Sequence, residues 1–170
     1  MNRDKFGIPQ FAGNRNIEGK IYMGNFESNL IFLEKAGLLT KDKKILEIGS
    51  GKGVMVDYLL RHNYNITGTE INDEYINFAR KHYGIELKKV SGEHLDFEDS
   101  SFDIVISFDV FEHIPDTDKH LQEVRRVLRP GGCYLLQTPN KWTNIPFEII
   151  KSRSLTDIKS TTALSTVIGD

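Results

Sequence analysis

Short apolar runs alternate with segments whose apolar residues recur every three or four positions between residues 43 and 138. The runs predict β-strands, and the recurring pattern predicts amphipathic helices. Strands that alternate with helices form a parallel sheet with helices on both faces, so a doubly wound α/β fold is predicted. The predicted strands span residues 44–48, 65–70, 85–90, 103–108 and 133–138.

Helices are predicted from the apolar periodicity and from residues that commonly cap helix ends. They are expected at Phe26–Ala36, at about Gly53–His62, between a cap at Asn72 and Gly84, and from a cap at Thr117 or Asp116 to the Pro130-Gly131-Gly132 turn. The first of these helices precedes the strands, and the other three connect them.

The two ends of the chain carry weaker signals. Residues 1–25 are polar and rich in Gly and Asn, and residues 151–170 are rich in Ser and Thr. We therefore expect a polar N-terminal segment over 1–25, one globular core over 26–150, and a weakly structured tail over 151–170. The tail is also a candidate truncation point.

Composition limits the classes of function. Of 170 residues, 39% are hydrophobic, and the formal net charge of −2 comes without a basic run, so no nucleic-acid partner is expected. No apolar stretch suits a signal peptide or a membrane span, and the single cysteine, Cys133, cannot form an internal disulfide. These features are typical of a cytoplasmic protein.

A glycine-rich loop follows the first predicted strand. Glu47 stands near the end of the strand, and Gly49, Gly51 and Gly53 follow it, with Ser50 among them. Such glycines bring bare backbone and a helix N-terminus close to a ligand, although a tight strand-to-helix turn needs glycine as well. The glycines alternate, whereas dinucleotide-binding folds space them differently, which counts against a nicotinamide-dependent oxidoreductase.

Glu70 ends the second predicted strand, about 20 residues after the first glycine of the loop, where nucleotide-binding folds place a ribose-binding carboxylate. A carboxylate at this position can accept hydrogen bonds from both ribose hydroxyls. The alternative is an ordinary exposed acid in a loop. The coincidence of Glu70 with the glycine loop favours the nucleotide interpretation.

Several ordered segments extend the pattern along the chain: Glu47-Ile48-Gly49-Ser50-Gly51-Lys52-Gly53, Val90-Ser91-Gly92-Glu93-His94-Leu95, and the segments 97–105, 108–116 and 128–132. With these segments at this spacing, residues 27–140 resemble the class I S-adenosylmethionine-dependent methyltransferases, of the ubiquinone-biosynthesis or methyltransferase type 11 kind. The combination is more specific than any single motif.

The resemblance implies S-adenosylmethionine as the cofactor, S-adenosylhomocysteine as the product, and a sheet of strand order 3-2-1-4-5. Ser91 stands where many members carry an aspartate, so contact with the adenine is expected through backbone groups. Asp109 is placed to face the cofactor's ammonium group or, alternatively, to cap the next turn. The implied contacts are Glu47, Gly49, Ser50, Gly51 and Gly53 in the loop, Glu70 and Ile71, Gly92 and Glu93, and Asp109.

The family's fold normally has seven strands, whereas five are predicted here. The final two strands, which form an antiparallel edge and help to bind the methyl acceptor, are expected to be missing. Their absence would leave an edge strand exposed. The chain would then be a fragment, or would complete itself as a homo-oligomer through that edge.

Methyl transfer needs alignment of the acceptor with the methyl group rather than a protein nucleophile. An oxygen or carbon acceptor can still need a general base, and His113 is the best-placed candidate. The alternative is that Glu112 and His113 only form hydrogen bonds with local backbone. The five histidines are scattered, so no metal site is expected.

The leading hypothesis is a methyltransferase that modifies a small molecule, with an oxygen acceptor such as a phenolic, quinone-precursor or sugar hydroxyl. The alternative is a cofactor-binding module or subunit that lacks acceptor chemistry of its own. The short chain favours this second hypothesis.

Overall fold

A computed structural model describes residues 15–17, 20–22, 25–138 and 147–151, with side chains described over 25–138. The chain divides into two compact units, residues 1–41 and 42–170, and each is described by itself. The domain boundaries expected above stay predictions. The expected tail beyond Lys151 lies outside the described residues.

Among its described residues, the first unit contains two paired strands and one helix. Strands β1 (Arg15–Ile17) and β2 (Lys20–Tyr22) pair antiparallel, and helix α1 spans Phe26–Ala36. The bounds of α1 are those predicted from its apolar periodicity. The helix ends at Gly37, which adopts the left-handed conformation with φ 64° and donates its N–H to Glu34 O.

The second unit contains a six-stranded sheet and three helices among its described residues. Its elements are β3 (Lys44–Ile48), α2 (Val54–Arg61), β4 (Asn65–Glu70), α3 (Asp73–Tyr83), β5 (Lys88–Lys89), β6 (Phe102–Phe108), α4 (Thr117–Val127), β7 (Leu128–Gln137) and β8 (Phe147–Lys151). A 3₁₀ turn at Phe111–His113 follows β6. Among the residues described, no helix is both long and apolar enough to cross a membrane.

The sheet has the order β5-β4-β3-β6-β7-β8, and the first five of these strands are parallel. If the five parallel strands are numbered 1 to 5 along the chain, as in the sequence prediction, their order is 3-2-1-4-5. The predicted α/β fold is therefore confirmed. The central strands β3 and β6 are apolar because both faces of the sheet are covered, and Ile45, Leu46, Ile104 and Val105 are fully buried.

The expectation that both final strands are missing is wrong for one of them. Strand β8 pairs antiparallel with β7, from Gln137 opposite Phe147 to Cys133 opposite Lys151. Therefore β7 is not the edge of the sheet. The polar and apolar residues of the segment Phe-Glu-Ile-Ile-Lys alternate too poorly to reveal a strand in the sequence.

Two predicted strands have different bounds in the structure. Strand β7 begins at Leu128 rather than at Cys133, because Leu128 pairs with Phe102 and Cys133 pairs with Ile104. The residues between them form a bulge within the strand, which contains Gly131 at φ 83°. Strand β5 covers only two of the six residues predicted for it.

Helix α4 closes one face of the sheet. The apolar core between them includes Leu46, Ile48, Val105, Leu121, Val124, Val127, Tyr134 and Leu136. The helix begins as predicted, because the Asp116 side chain accepts a hydrogen bond from the N–H of Lys119. Its periodic apolar residues therefore fix its orientation on the sheet.

The segment between β5 and β6 has almost no secondary structure and is held by α4. Arg126 donates to the carbonyls of Leu95 and Phe97, both at 2.6 Å, and forms an ion pair with Asp99. Glu123 accepts the N–H of Leu95 at 2.7 Å. Arg126 also pairs with Glu123, and these anionic partners raise the pKa of its guanidinium.

We expect Arg126→Ala to lower the free energy of unfolding by about 2 to 3 kcal/mol, because it leaves two carbonyls without their charged donor. Arg125→Ala is the matched control, since this exposed neighbour lies on the same helix and should change stability by less than about 0.5 kcal/mol. Urea unfolding measures both. Equal effects would show that α4 does not hold this segment through Arg126.

Candidate functional site

The candidate site lies at the carboxyl ends of the parallel strands, where sheets of this kind bind ligands. The glycine loop follows β3, Glu70 ends β4, and Asp109 follows β6. Since β3 lies between β4 and β6, the strand order brings these three predicted site segments to one edge of the sheet.

The glycines of the loop have different roles. A Cβ atom on Gly49 would overlap the side chain of Val110, and one on Gly53 would lie 2.7 Å from Ile85 Cδ1. Packing of the chain itself therefore explains these two residues. A Cβ on Gly51 would meet nothing within 4 Å, although φ there is 54°. Gly51 is thus the glycine that faces open space.

The carboxylate of Glu70 already binds the backbone around it. Its Oε2 accepts the N–H of Gly51 at 2.7 Å, and its Oε1 accepts those of Ile71 and Asn72 at 2.8 and 3.0 Å. A carboxylate has about four lone-pair sites, so one acceptor position is left on Oε2. A ligand hydroxyl would therefore share Glu70 with the glycine loop.

Two residues that the sequence interpretation did not single out position the loop. Thr69 accepts the N–H of Ser50 at its carbonyl, at 2.8 Å, and donates its hydroxyl to the carbonyl of Glu47. A Cβ on Gly68 would lie 2.6 Å from Ser50 Oγ and from Val56 Cγ2. A glycine inside a strand commonly marks such a close approach, so Gly68 was the signal in the sequence that could have revealed this contact.

Glu47 is a buried acid, with 5% of its surface exposed. Among the described residues, its Oε2 has no hydrogen-bond partner. Burial raises the pKa of Glu47 to about 7; a hydrogen bond with the Ser50 side chain opposes this shift, and the charge of Glu70 adds to it. The site thus contains a carboxyl group that a cationic or N–H-bearing ligand would stabilise in its charged form.

Asp109 adopts a strained backbone conformation that Gln137 holds. Its φ is 56°, which is uncommon for a residue other than glycine. Its N–H binds Gln137 O at 3.0 Å, and its Oδ1 accepts Gln137 Nε2 at 2.8 Å. Gln137 is fully buried and was missed in the sequence. Strain of this kind commonly lies at functional sites.

The Gly92–Glu93 turn is tied to α4. Glu93 Oε1 accepts the N–H of Asp116 at 3.0 Å, and Glu93 Oε2 lies 3.4 Å from the hydroxyl of Ser91. The carbonyl of Gly92 lies 2.8 Å from Nδ1 of His120. Both carboxylate oxygens of Glu93 therefore take part in contacts within the chain, which fix the turn.

His113 lies in the 3₁₀ turn after β6, and its side chain is exposed. Its backbone N–H binds Val110 O at 2.9 Å, a bond of the 3₁₀ turn that does not involve the imidazole. Ile71, next to Glu70, is an apolar side chain with 64% of its surface exposed. In the part of the chain that is described, no cluster of His, Cys, Asp and Glu is arranged to hold a metal ion.

Comparison with protein families gives one clear match. A family described as a methyltransferase domain matches residues 46–136, which is more than half of the chain. The matched region begins in β3, ends in β7 and includes the glycine loop, Glu70, the Gly92–Glu93 turn and Asp109.

Similar proteins include a fatty-acid O-methyltransferase of Mycolicibacterium smegmatis, 36% identical over 61% of this chain and 40% of its own length. A ubiquinone biosynthesis O-methyltransferase of Colwellia psychrerythraea is 29% identical over 68% and 51%. The chain thus spans about half the length of such curated relatives. A solved SAM-dependent methyltransferase from Aquifex aeolicus shares the fold, with TM-score 0.59 and 20% identity over 66% of this chain and 64% of its own.

Glu47→Gln should stabilise the cofactor-free protein in a pH-dependent manner. The folded-state pKa of about 7 lies above the ordinary glutamate pKa of 4.5, so stability is lost as pH rises through this interval. The variant should gain about 1 kcal/mol at pH 5 and about 3 kcal/mol at pH 8 in urea unfolding. Glu74→Gln, at an exposed position, should show no such trend. An equal gain for Glu47→Gln at both pH values contradicts this account of Glu47.

Proposed function

Since this chain belongs to the methyltransferase domain family, we propose that it binds S-adenosylmethionine at the carboxyl edge of its sheet and transfers the methyl group to an oxygen atom of a small molecule. The observation that carries the proposal is the buried Glu47 carboxyl, whose Oε2 has no partner among the described residues. Its neighbours in the site supply complementary groups for the rest of the cofactor.

The amino acid end of the cofactor is assigned to Glu47 and Asp109. An ammonium group would give the orphaned oxygen of Glu47 a charged donor and would favour its ionised form. Asp109 adds a second acid at the neighbouring strand end, fixed there by Gln137. These residues bind and orient the group, and the cationic partner offsets the cost of burying a carboxylate.

The nucleoside end is assigned to Glu70, Ile71 and the Gly92–Glu93 turn. The remaining acceptor position on Glu70 Oε2 suits one ribose hydroxyl, beside the Gly51 N–H that the same oxygen accepts. The exposed side chain of Ile71 offers an apolar surface for a base. In the glycine loop, Gly51 presents backbone rather than a side chain to the ligand, and Gly49, Ser50 and Gly53 are proposed as further backbone contacts.

When bound, S-adenosylmethionine would supply a methyl group on a positively charged sulfur. An aligned acceptor oxygen would take the methyl group in line with the departing sulfur. The chain's own contribution is therefore to bind, to orient and to exclude water, and no protein nucleophile is required. The names of the two O-methyltransferase relatives support an oxygen acceptor. A phenolic, quinone-precursor or sugar hydroxyl is the acceptor class that we propose.

A cofactor-binding module or subunit without acceptor chemistry is the second candidate. Its support is that the chain spans only about half the length of the curated relatives. Both candidates bind the cofactor, and they differ in whether this chain alone transfers a methyl group. Turnover by the isolated chain with a panel of hydroxylated acceptors would decide for the methyltransferase.

S-adenosylhomocysteine at 100 times its Kd should stabilise the protein by about 2.7 kcal/mol, whereas NAD should have no effect. Thermal unfolding with each ligand measures this difference. Stabilisation by NAD alone would overturn the assignment.

A matched pair of variants controls for nonspecific effects in the same experiment. Glu70→Ala should reduce the affinity for S-adenosylhomocysteine about tenfold or more, because it removes a charged acceptor. Glu74→Ala removes an equal charge from the first turn of α3 and should bind as the wild type does. Loss of binding in both variants would point to general electrostatics rather than to a ribose contact.

His113 is proposed as the general base that takes the proton of the acceptor hydroxyl. It is exposed and lies in the turn that follows Asp109. His113→Ala should leave the affinity for S-adenosylhomocysteine unchanged and lower kcat by a factor of about 100 or more. Unchanged kcat with an identified acceptor would contradict the role of His113 as a general base.

A further inference from the structure

A continuous buried hydrogen-bond chain lies beneath the Gly92–Glu93 turn. The carbonyl of Gly92 lies 2.8 Å from His120 Nδ1, His120 Nε2 lies 2.9 Å from Tyr134 Oη, and Tyr134 Oη lies 2.6 Å from Ser107 Oγ. The side chains of His120, Tyr134 and Ser107 come from α4, β7 and β6 and have no exposed surface. The proposed function assigns none of them a role.

The positions of the protons in this series of hydrogen bonds follow from the acceptor at one end, the carbonyl of Gly92. Burial lowers the pKa of His120, so its imidazole is neutral and has a single N–H. The carbonyl of Gly92 can only accept, so the proton lies on Nδ1 and Nε2 accepts from Tyr134. Burial raises the pKa of Tyr134, which keeps its proton for this bond. The oxygen of Tyr134 then accepts from Ser107.

The turn rests directly on the imidazole ring. A Cβ on Gly92 would lie 3.1 Å from His120 Nδ1 and 3.1 Å from Ile114 Cδ1, so any larger residue would require these neighbours to shift by a few tenths of an ångström. The second attachment is the bond from Asp116 N–H to the Glu93 carboxylate. Asp116 is the N-cap of α4 and His120 lies in its first turn, so the N-terminal end of α4 holds both residues of the turn.

We propose that His120 is a positioning residue that sets the Gly92–Glu93 turn against the adenine end of the cofactor, through an Nδ1 donor whose proton the Gly92 carbonyl fixes and whose ring Tyr134 and Ser107 hold in place. This inference rests on the proposed function. His120 acts through the carbonyl of Gly92 and does not touch the ligand. The alternative is that this buried series of hydrogen bonds only stabilises the core.

A pair of substitutions at position 120 separates these two roles. The amide nitrogen of His120→Asn comes close to the position of Nδ1, so this variant keeps the donor to Gly92 and loses the partner of Tyr134. The amide of His120→Gln reaches the position of Nε2, so this variant keeps the Tyr134 contact and loses the donor to Gly92. Each variant removes one buried hydrogen bond, and their losses of stability should be similar.

Calorimetric titration with S-adenosylhomocysteine, alongside urea unfolding, tests the proposal. His120→Asn should bind within about threefold of the wild type, whereas His120→Gln should bind about tenfold more weakly, which corresponds to the loss of one oriented hydrogen bond. Equal affinities in the two variants, or losses that only follow stability, overturn the positioning role. No binding by the wild type would instead contradict the proposed function.

Tyr134→Phe serves if the substitutions at position 120 prevent folding. It keeps the ring of Tyr134 but removes the hydroxyl that binds His120 Nε2, so only the Gly92 carbonyl still orients the imidazole through a hydrogen bond of this series. The affinity for S-adenosylhomocysteine should fall by about two- to threefold. A folded Tyr134→Phe variant with wild-type affinity would show that the bond from Tyr134 does not help His120 to position the turn.

Discussion

The geometry of the site depends on three hydrogen bonds from backbone N–H groups to the carboxylate of Glu70. One comes from Gly51 in the loop after β3, and two come from Ile71 and Asn72 at the start of α3. Irregular backbone at a strand end cannot satisfy such N–H groups through a ladder, so a carboxylate between the two loops does it instead. The ribose contact proposed for Glu70 is thus an addition to a structural role.

Helix α4 supplies the second constraint. The residues between β5 and β6 have few ladder bonds of their own, and successive turns of α4 hold them through Asp116, His120, Glu123 and Arg126. The apolar face of the same helix packs on the sheet. One helix therefore transmits the position of the core to the Gly92–Glu93 turn, which explains how a nearly irregular segment can contribute to a binding site.

Local signals in the sequence were sufficient for much of this architecture. The bounds of β4 and the caps Asn72 and Gly84 were predicted, because a buried run and a capping side chain act within a few residues. Strand β8 and the early start of β7 were not predicted, since pairing with distant strands decides them.

The same division applies to the site. Glu47 and Gly51 belong to the glycine-loop motif and Glu70 ends the next strand, so local patterns predicted all three. The strand order then brings Asp109 to their edge of the sheet. The contributions of Gln137 and His120 depend on side-chain contacts across 28 positions of sequence. Neither residue carries a local signal of such a contact.

Two features at the carboxyl edge oppose folding rather than support it. Burial of Glu47 penalises its charged form, and Asp109 holds a backbone conformation that costs about 1 kcal/mol or more. An apolar residue at position 47 and a glycine at position 109 would make the ligand-free protein more stable. Folding alone therefore does not explain these two acids. A cation bound at the strand ends would offset the cost of burying the Glu47 carboxylate, and the conformation of Asp109 holds a second acid at the same edge of the sheet.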